Sequence, residues 1–205
     1  DNTGDLWLYG GYNYSNSSST MYGDLWKYTI STNQWTWMHG ANTINPPAVY
    51  GTLGVAAPTN TPGGRQVYSS WTDLSGNLWL FGGGTYGSSP GYVNDLWKYD
   101  VVANQWTWMK GANTINDAGN YGTKCIPANS NEPPSRYENR AKIRDVCGNF
   151  WFWGGTKSNN WTDVFNDLWH YNVSSNQWTW VSGDNILNQT PIYGTKGVSN
   201  AANKP

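Results

Sequence analysis

Charge is scarce in this 205-residue chain. Only 12% of its residues are Asp, Glu, Lys or Arg, and the net charge is −1. So neutral a chain carries no overall field to draw it to nucleic acid or to an anionic membrane. No apolar run approaches the roughly 18 residues of a membrane helix, so membrane insertion is not expected. The two His, His39 and His170, occupy unrelated positions, which argues against a His-based metal centre. The sequence has no nucleophile elbow, no phosphate loop and no paired acids, so neither catalysis nor a cofactor is expected. No initiator Met and no signal peptide are present, so the chain reads as processed or excised. Helical periodicity is absent throughout.

Aromatic residues and glycine are plentiful, with Trp 15, Tyr 14 and Gly 24. Each Trp or Tyr buries a large area on folding, so the low charge does not signal disorder. All but two of the tryptophans, Trp71 and Trp161, lie on segments that recur. Asp5-Leu-Trp-Leu-Tyr-Gly-Gly11 returns as Asn77-Leu-Trp-Leu-Phe-Gly-Gly83 and as Asn149-Phe-Trp-Phe-Trp-Gly-Gly155. Asp24-Leu-Trp-Lys-Tyr28 is matched at Asp95 and Asp167. Asn33-Gln-Trp-Thr-Trp37 is matched at Asn104 and Asn176, and Tyr50-Gly-Thr52 at Tyr121 and Tyr193. A period of 71 or 72 residues with this order of landmarks is a repeat architecture.

Each landmark reads as a strand or a turn. Leu78–Phe81 is apolar on both faces, as a strand between two layers would be. The glycines after it permit a tight reversal or close backbone packing. Trp106 and Trp108 share one face of an alternating strand. A further strand, Arg65–Asp73, precedes the double-glycine strand, and Arg136–Asp145 is its copy. The unit is therefore four strands followed by a linker, and the linkers repeat too: Ala41-Asn-Thr-Ile-Asn45 recurs as Ala112–Asn116. The expected fold is all-β, with units 1–62, 63–133 and 134–205 and with the inner strand of the first unit missing. The recurring Asp24, Asp95 and Asp167 are expected to fix turns.

Gly82-Gly83, Tyr99 followed by Asp100, and Trp106 resemble the kelch repeat, in that order. In the other copies the Asp after the Tyr is Thr29 or Asn172. The resemblance implies blades of a β-propeller, most similar to secreted tandem-kelch proteins with long interblade linkers. Closed propellers typically have four to eight blades. Three blades are therefore expected to assemble with copies of themselves, as a ring or a filament, to belong with further blades, or to stay open and stack. The motif of kelch-type copper oxidases has no match here, and an echo of a sialidase Asp box at Ser70–Trp79 has the wrong spacing.

Candidate sites lie where the repeats differ. Cys125 stands where the copies have Gly54 and Gly197, and Cys147 where one has Ser75. The pair reads as a disulfide, with two unpaired thiols as the alternative. A bridge would stabilise by roughly 3 kcal/mol and imply an oxidising, extracytoplasmic compartment. Sequons for N-glycosylation fall at Asn13, Asn16, Asn160, Asn172 and Asn188, about as many as composition supplies. Trp161, Tyr12, Tyr14 and Tyr86 sit in loops between second and third strands and could stack on a glycan, against simple loop packing. Arg136, Arg140, Lys142 and Arg144 cluster within nine residues. The resemblance would put their strand on a central channel, as a site for an anion or an acidic partner. Pairing with Asp145, Glu132 and Glu138 is the alternative. The expected role is a non-catalytic, extracellular, self-associating module. A carbohydrate-binding module is the runner-up, and a non-catalytic portion of a secreted kelch-type oxidase or hydrolase the third reading.

Overall fold

A computed structural model describes residues 1–15, 18–86, 90–137, 141–158 and 162–205. Three antiparallel sheets follow one another along the chain, and among the described residues there is no helix. The first has three strands in the order β1 (Leu6–Ser15), β2 (Ser18–Thr29) and β3 (Gln34–His39). The second has five: β4 (Arg65–Gln66), β5 (Ser69–Thr72), β6 (Leu78–Thr85), β7 (Gly91–Asp100) and β8 (Gln105–Lys110). There β4 and β5 pair in succession along β6, as one inner strand broken at Val67, which has φ 53°. The third has four: β9 (Ala141–Arg144), β10 (Phe150–Thr156), β11 (Val164–Asn172) and β12 (Gln177–Ser182).

The double glycines do not end their strands. Each sits in a bulge through which the strand continues, between Tyr9/Gly11, Phe81/Gly83 and Trp153/Gly155. Gly82 has φ +66°, and a Cβ there would lie 2.9 Å from the Arg136 carbonyl oxygen. The neighbouring Gly83 N–H donates to that same oxygen at 3.0 Å. Glycine is thus required both for the left-handed backbone and for the close approach of the next unit.

Two aromatic layers hold the three sheets together. Between the first and second, Trp7 meets Tyr99 at 5.6 Å and Tyr9 meets Trp106 at 5.4 Å. Between the second and third, Trp79 meets Tyr171 at 5.6 Å, Phe81 meets Trp178 at 5.2 Å, and Phe81 stacks on Phe152 at 5.1 Å. Each sheet therefore has a back face, carrying Trp7 and Tyr9 or their copies, and a front face, carrying Tyr99 and Trp106 or theirs. Back packs on front in both junctions. Trp97, Trp106, Trp169 and Trp178 are all fully buried by this arrangement.

Candidate functional site

The third-strand aspartates are more than turn formers. Asp95 and Asp167 are buried acceptors on which three segments converge. Arg65 grips Asp95 with two nitrogens, at 2.7 and 2.9 Å, and Arg136 grips Asp167 at 2.6 and 2.8 Å. The indole N–H of Trp97 and of Trp169 donates to the same carboxylates at 2.8 Å. The third donor comes from the linker. Tyr50 Oη donates to Asp95 at 2.9 Å and Tyr121 Oη to Asp167 at 2.6 Å. Burial first, and then the adjacent carboxylate, push both phenols above their ordinary pKa.

Each linker starts on the sheet it leaves, Asn45 bonded to Met21 and Asn116 to Tyr92, and from Tyr50 or Tyr121 onward lies on the sheet that follows. Gly54 N–H donates to the Trp108 carbonyl and Cys125 N–H to the Trp180 carbonyl, both at 2.8 Å. Ala57 bridges Trp106, and Ala128 bridges Trp178. Asn60 and Asn131, nearly wholly buried, each donate through Nδ2 to those tryptophan carbonyls at 3.1 Å. The linker thus acts as an added edge strand along β8 and β12, covering polar backbone that would otherwise be open.

The first sheet has neither kind of cover. Among the described residues no inner strand pairs with β1, and no linker lies along β3. A cleft of about 370 Å³ beside β1 is lined by Leu6, Trp7, Tyr9, Ser70 and Trp71. Trp35 is 53% exposed, whereas its copies Trp106 and Trp178 are at most 1% exposed. Leu6 and Leu8 are more than half exposed, whereas Phe150 and Phe152 in the same places are buried. Asp24 keeps the indole bond from Trp26, at 2.6 Å, but among the described residues it has no arginine or tyrosine partner.

No protein-family model and no curated protein matches this chain. A solved structure titled "Structure of YjhT" superposes with a TM-score of 0.56 at 12% identity. The match covers 88% of this chain and 49% of that one, so the chain spans about half the length of that protein. The likeness is one of fold.

The sites expected from sequence are dispersed. Arg136 is fully buried, bound to Asp167 and to the carbonyls of Gly154 and Pro134, with its guanidinium 4.0 Å from the Phe165 ring centre. It repeats Arg65 and holds the fold, so it presents no cation to an anion. Arg140 lies outside the described residues. Lys142 and Arg144 lie on β9 and reach across to the second sheet, Lys142 Nζ to Ser70 Oγ at 3.3 Å and Arg144 to the Thr72 carbonyl at 3.1 Å. Of the expected carboxylate partners, Asp145 accepts from the Trp151 indole and Glu132 has Lys110 as its charged neighbour.

Cys125 and Cys147 are both free and exposed, which overturns the disulfide. They are close in sequence and far apart in the sheet. Cys125 lies outside β12, its Sγ 3.4 Å from the Val181 carbonyl, while Cys147 is in the turn between β9 and β10. At about 4.8 Å per strand, the width of the sheet separates them by more than a bridge spans.

Tyr12 and Tyr14 are exposed on one face of β1, whereas Tyr86 lines a groove of about 310 Å³ with Pro46 and Pro47. No ring contact joins these three, and Trp161 lies outside the described residues. Of the sequons, Asn13 is exposed on β1, and Asn16 and Asn160 lie outside the described residues. Asn172 Oδ1 caps the turn N–H groups of Ser174 and Ser175, and Asn188 Oδ1 accepts from Val164 N–H at 2.9 Å. No cluster of three or more His, Cys, Asp or Glu suited to a metal occurs among the described residues.

The sequence reading missed the uncovered front face, with Leu6, Leu8, Trp35 and Trp37. A signal for it was present: each is a copy of a residue whose partner belongs to the preceding unit.

Proposed function

We propose that this chain is a non-catalytic structural or interaction module of kelch-like propeller blades, extracellular, which associates with copies of itself as a ring or filament or with further blades. The observation that carries this reading is the exposure of Trp35, Trp37, Leu6 and Leu8 on one face. A contiguous apolar face of this kind is characteristic of interaction surfaces. The open inner edge of β1 supports the same reading, because an unpaired edge invites another strand. The half-length match to a larger neighbour of the same fold also fits a unit that is part of a greater whole.

Sedimentation of the 205-residue chain over a wide concentration range tests this. Mass above one chain, 22.9 kDa, is expected. A strictly monomeric protein at all concentrations would sink the reading. The exposed Tyr12 and Tyr14, sharing a strand face, favour carbohydrate binding as a second reading. A glycan panel checks it: binding lost on Tyr14→Ala supports it, and a flat response removes it.

A further inference from the structure

We propose that the front face of the first sheet receives the Ile192–Lys204 segment, together with the back face of the third sheet, of a second copy of this chain. The contact is head-to-tail, and it rests on the self-association reading above.

The segment on offer has the same internal build as the two linkers already seated on a sheet. Ile192 bridges Lys204 just as Val49 bridges Thr61 and Asn120 bridges Glu132. Val198 N–H closes onto the Thr195 carbonyl at 3.0 Å, as Val55 does onto Thr52. Asn203 Nδ2 donates to the Val198 carbonyl at 3.2 Å, as Asn60 does to Val55 at 2.9 Å. Gly194 and Gly197 have the positive φ of Gly51 and Gly54. The segment thus holds the docked conformation with no sheet beneath it among the described residues, and little ordering is left for binding to impose. Yet Tyr193 is 81% exposed, whereas Tyr50 and Tyr121 pack on tryptophans of the sheet they cover.

The receiving surface carries the matching groups. By repeat position, the Tyr193 hydroxyl would donate to Asp24, the Gly197 N–H to the Trp37 carbonyl and the Asn203 amide to the Trp35 carbonyl. Beneath them, Trp153 on the back face of the third sheet is 37% exposed, against 0% for Phe81 and 7% for Tyr9 in the same place. It would meet Leu8 and Trp35, as Phe81 meets Phe152 and Trp178. Donor and receptor surfaces lie on opposite ends of one chain, so the interface is heterologous and propagates, closing as a ring or extending as a filament.

The test uses Trp35→Asp, which disables the receiving face, and Tyr193→Asp, which disables the donor. Near-ultraviolet circular dichroism checks that each keeps the fold, and the exposure of Tyr193 keeps that variant informative by itself. Each variant alone is expected to lose self-association by at least about thirty-fold, the usual loss for an aromatic anchor. An equimolar mixture is expected to form a dimer and stop there, because each partner retains one intact surface. If wild type associates but Tyr193→Asp associates equally well, self-association survives and this docking is overturned. If either variant alone still dimerises, the contact is isologous and the proposal is likewise overturned. A monomeric wild type removes both.

Discussion

Tyr121 in the second linker donates its hydroxyl to Asp167 in the third sheet at 2.6 Å, and Arg136 grips the same carboxylate with two nitrogens. The segment that leaves one sheet is thereby fastened to the carboxylate of the next. The same construction joins Tyr50, Arg65 and Asp95. In the first sheet the copy, Asp24, keeps only the Trp26 indole among the described residues.

This asymmetry sets a first prediction. Asp95→Ala leaves the fully buried Arg65 guanidinium without its counter-charge, and removing one partner of a buried pair costs about 3–5 kcal/mol. Asp24→Ala removes a single hydrogen bond on a partly exposed residue and costs about 1 kcal/mol. Urea unfolding of the two variants measures the difference. Equal losses would show that the arginine pair is not what distinguishes the sheets.

The repeat made most of the fold legible. The spacing of Gly10, Gly82 and Gly154 located three like units, and alternation in Asn104–Trp108 identified strands. It also predicted that repeated linkers pack alike, and the linkers before the second and third sheets do. What it could not supply was the direction of handover, since sequence order places a linker with the unit it leaves. Nor did spacing separate Arg136 from Arg140, Lys142 and Arg144. Counted within a short stretch they form a basic cluster. Compared with Arg65 one period earlier, Arg136 stands apart as structural. Proximity in sequence misled again at Cys125 and Cys147, which a strand order of β12-β11-β10-β9 holds apart.

Two free thiols are therefore expected in the folded protein. Ellman titration without denaturant should read two per chain, and reductant should leave the thermal midpoint unchanged. Cys125 has φ 64°, where the other copies have glycine. Cys125→Gly relieves that backbone, and its effect on stability stays within about 1 kcal/mol. A titration near zero with a drop in midpoint on reduction would restore the disulfide.

Acid should destabilise the protein in two stages. His39 Nδ1 accepts the Gly40 N–H at 2.8 Å, and His170 packs against the Trp151 ring at 4.4 Å. Burial lowers the pKa of both below 6.5. A base whose pKa is lower in the folded chain binds protons more readily when unfolded. The contribution of the two neutral imidazoles is therefore complete well above 6.5 and is lost as pH drops through 6.5 toward their lower folded values. The carboxylates of Asp5, Asp100, Asp145 and Asp184 are held below 3.8, chiefly by Lys27, the Ala103 N–H, the Trp151 indole and Lys204 respectively. Their contribution is complete above 3.8 and lost as pH falls through their lower folded values. Thermal melts between about pH 7 and pH 5 cover the first stage, against which Glu132, raised above 4.5 by burial, contributes with the opposite sign. The double variant His39→Gln, His170→Gln should flatten that range and leave the more acid stage in place.

The last prediction separates a linker that is part of a sheet from one that is only a tether. Asn131 is 1% exposed, and its Nδ2 donates both to the Ile126 carbonyl at 2.8 Å and to the Trp178 carbonyl at 3.1 Å. One side chain thus shapes the linker and fastens it to β12. Asn131→Ala leaves two carbonyls without that donor at a buried site, a cost of about 1–3 kcal/mol. It should also speed amide exchange at Cys125, whose N–H donates to Trp180 along the same edge. Asn203 makes the first of these bonds, to the Val198 carbonyl at 3.2 Å, but among the described residues has no sheet carbonyl to make the second. Asn203→Ala should therefore cost the single chain less than about 1 kcal/mol and leave exchange at Cys125 unchanged. A tether would respond equally weakly to both substitutions. An added strand responds only where its asparagine reaches a sheet, so a stability loss at Asn131 accompanied by faster exchange at Cys125 identifies the linker as part of the fold it enters.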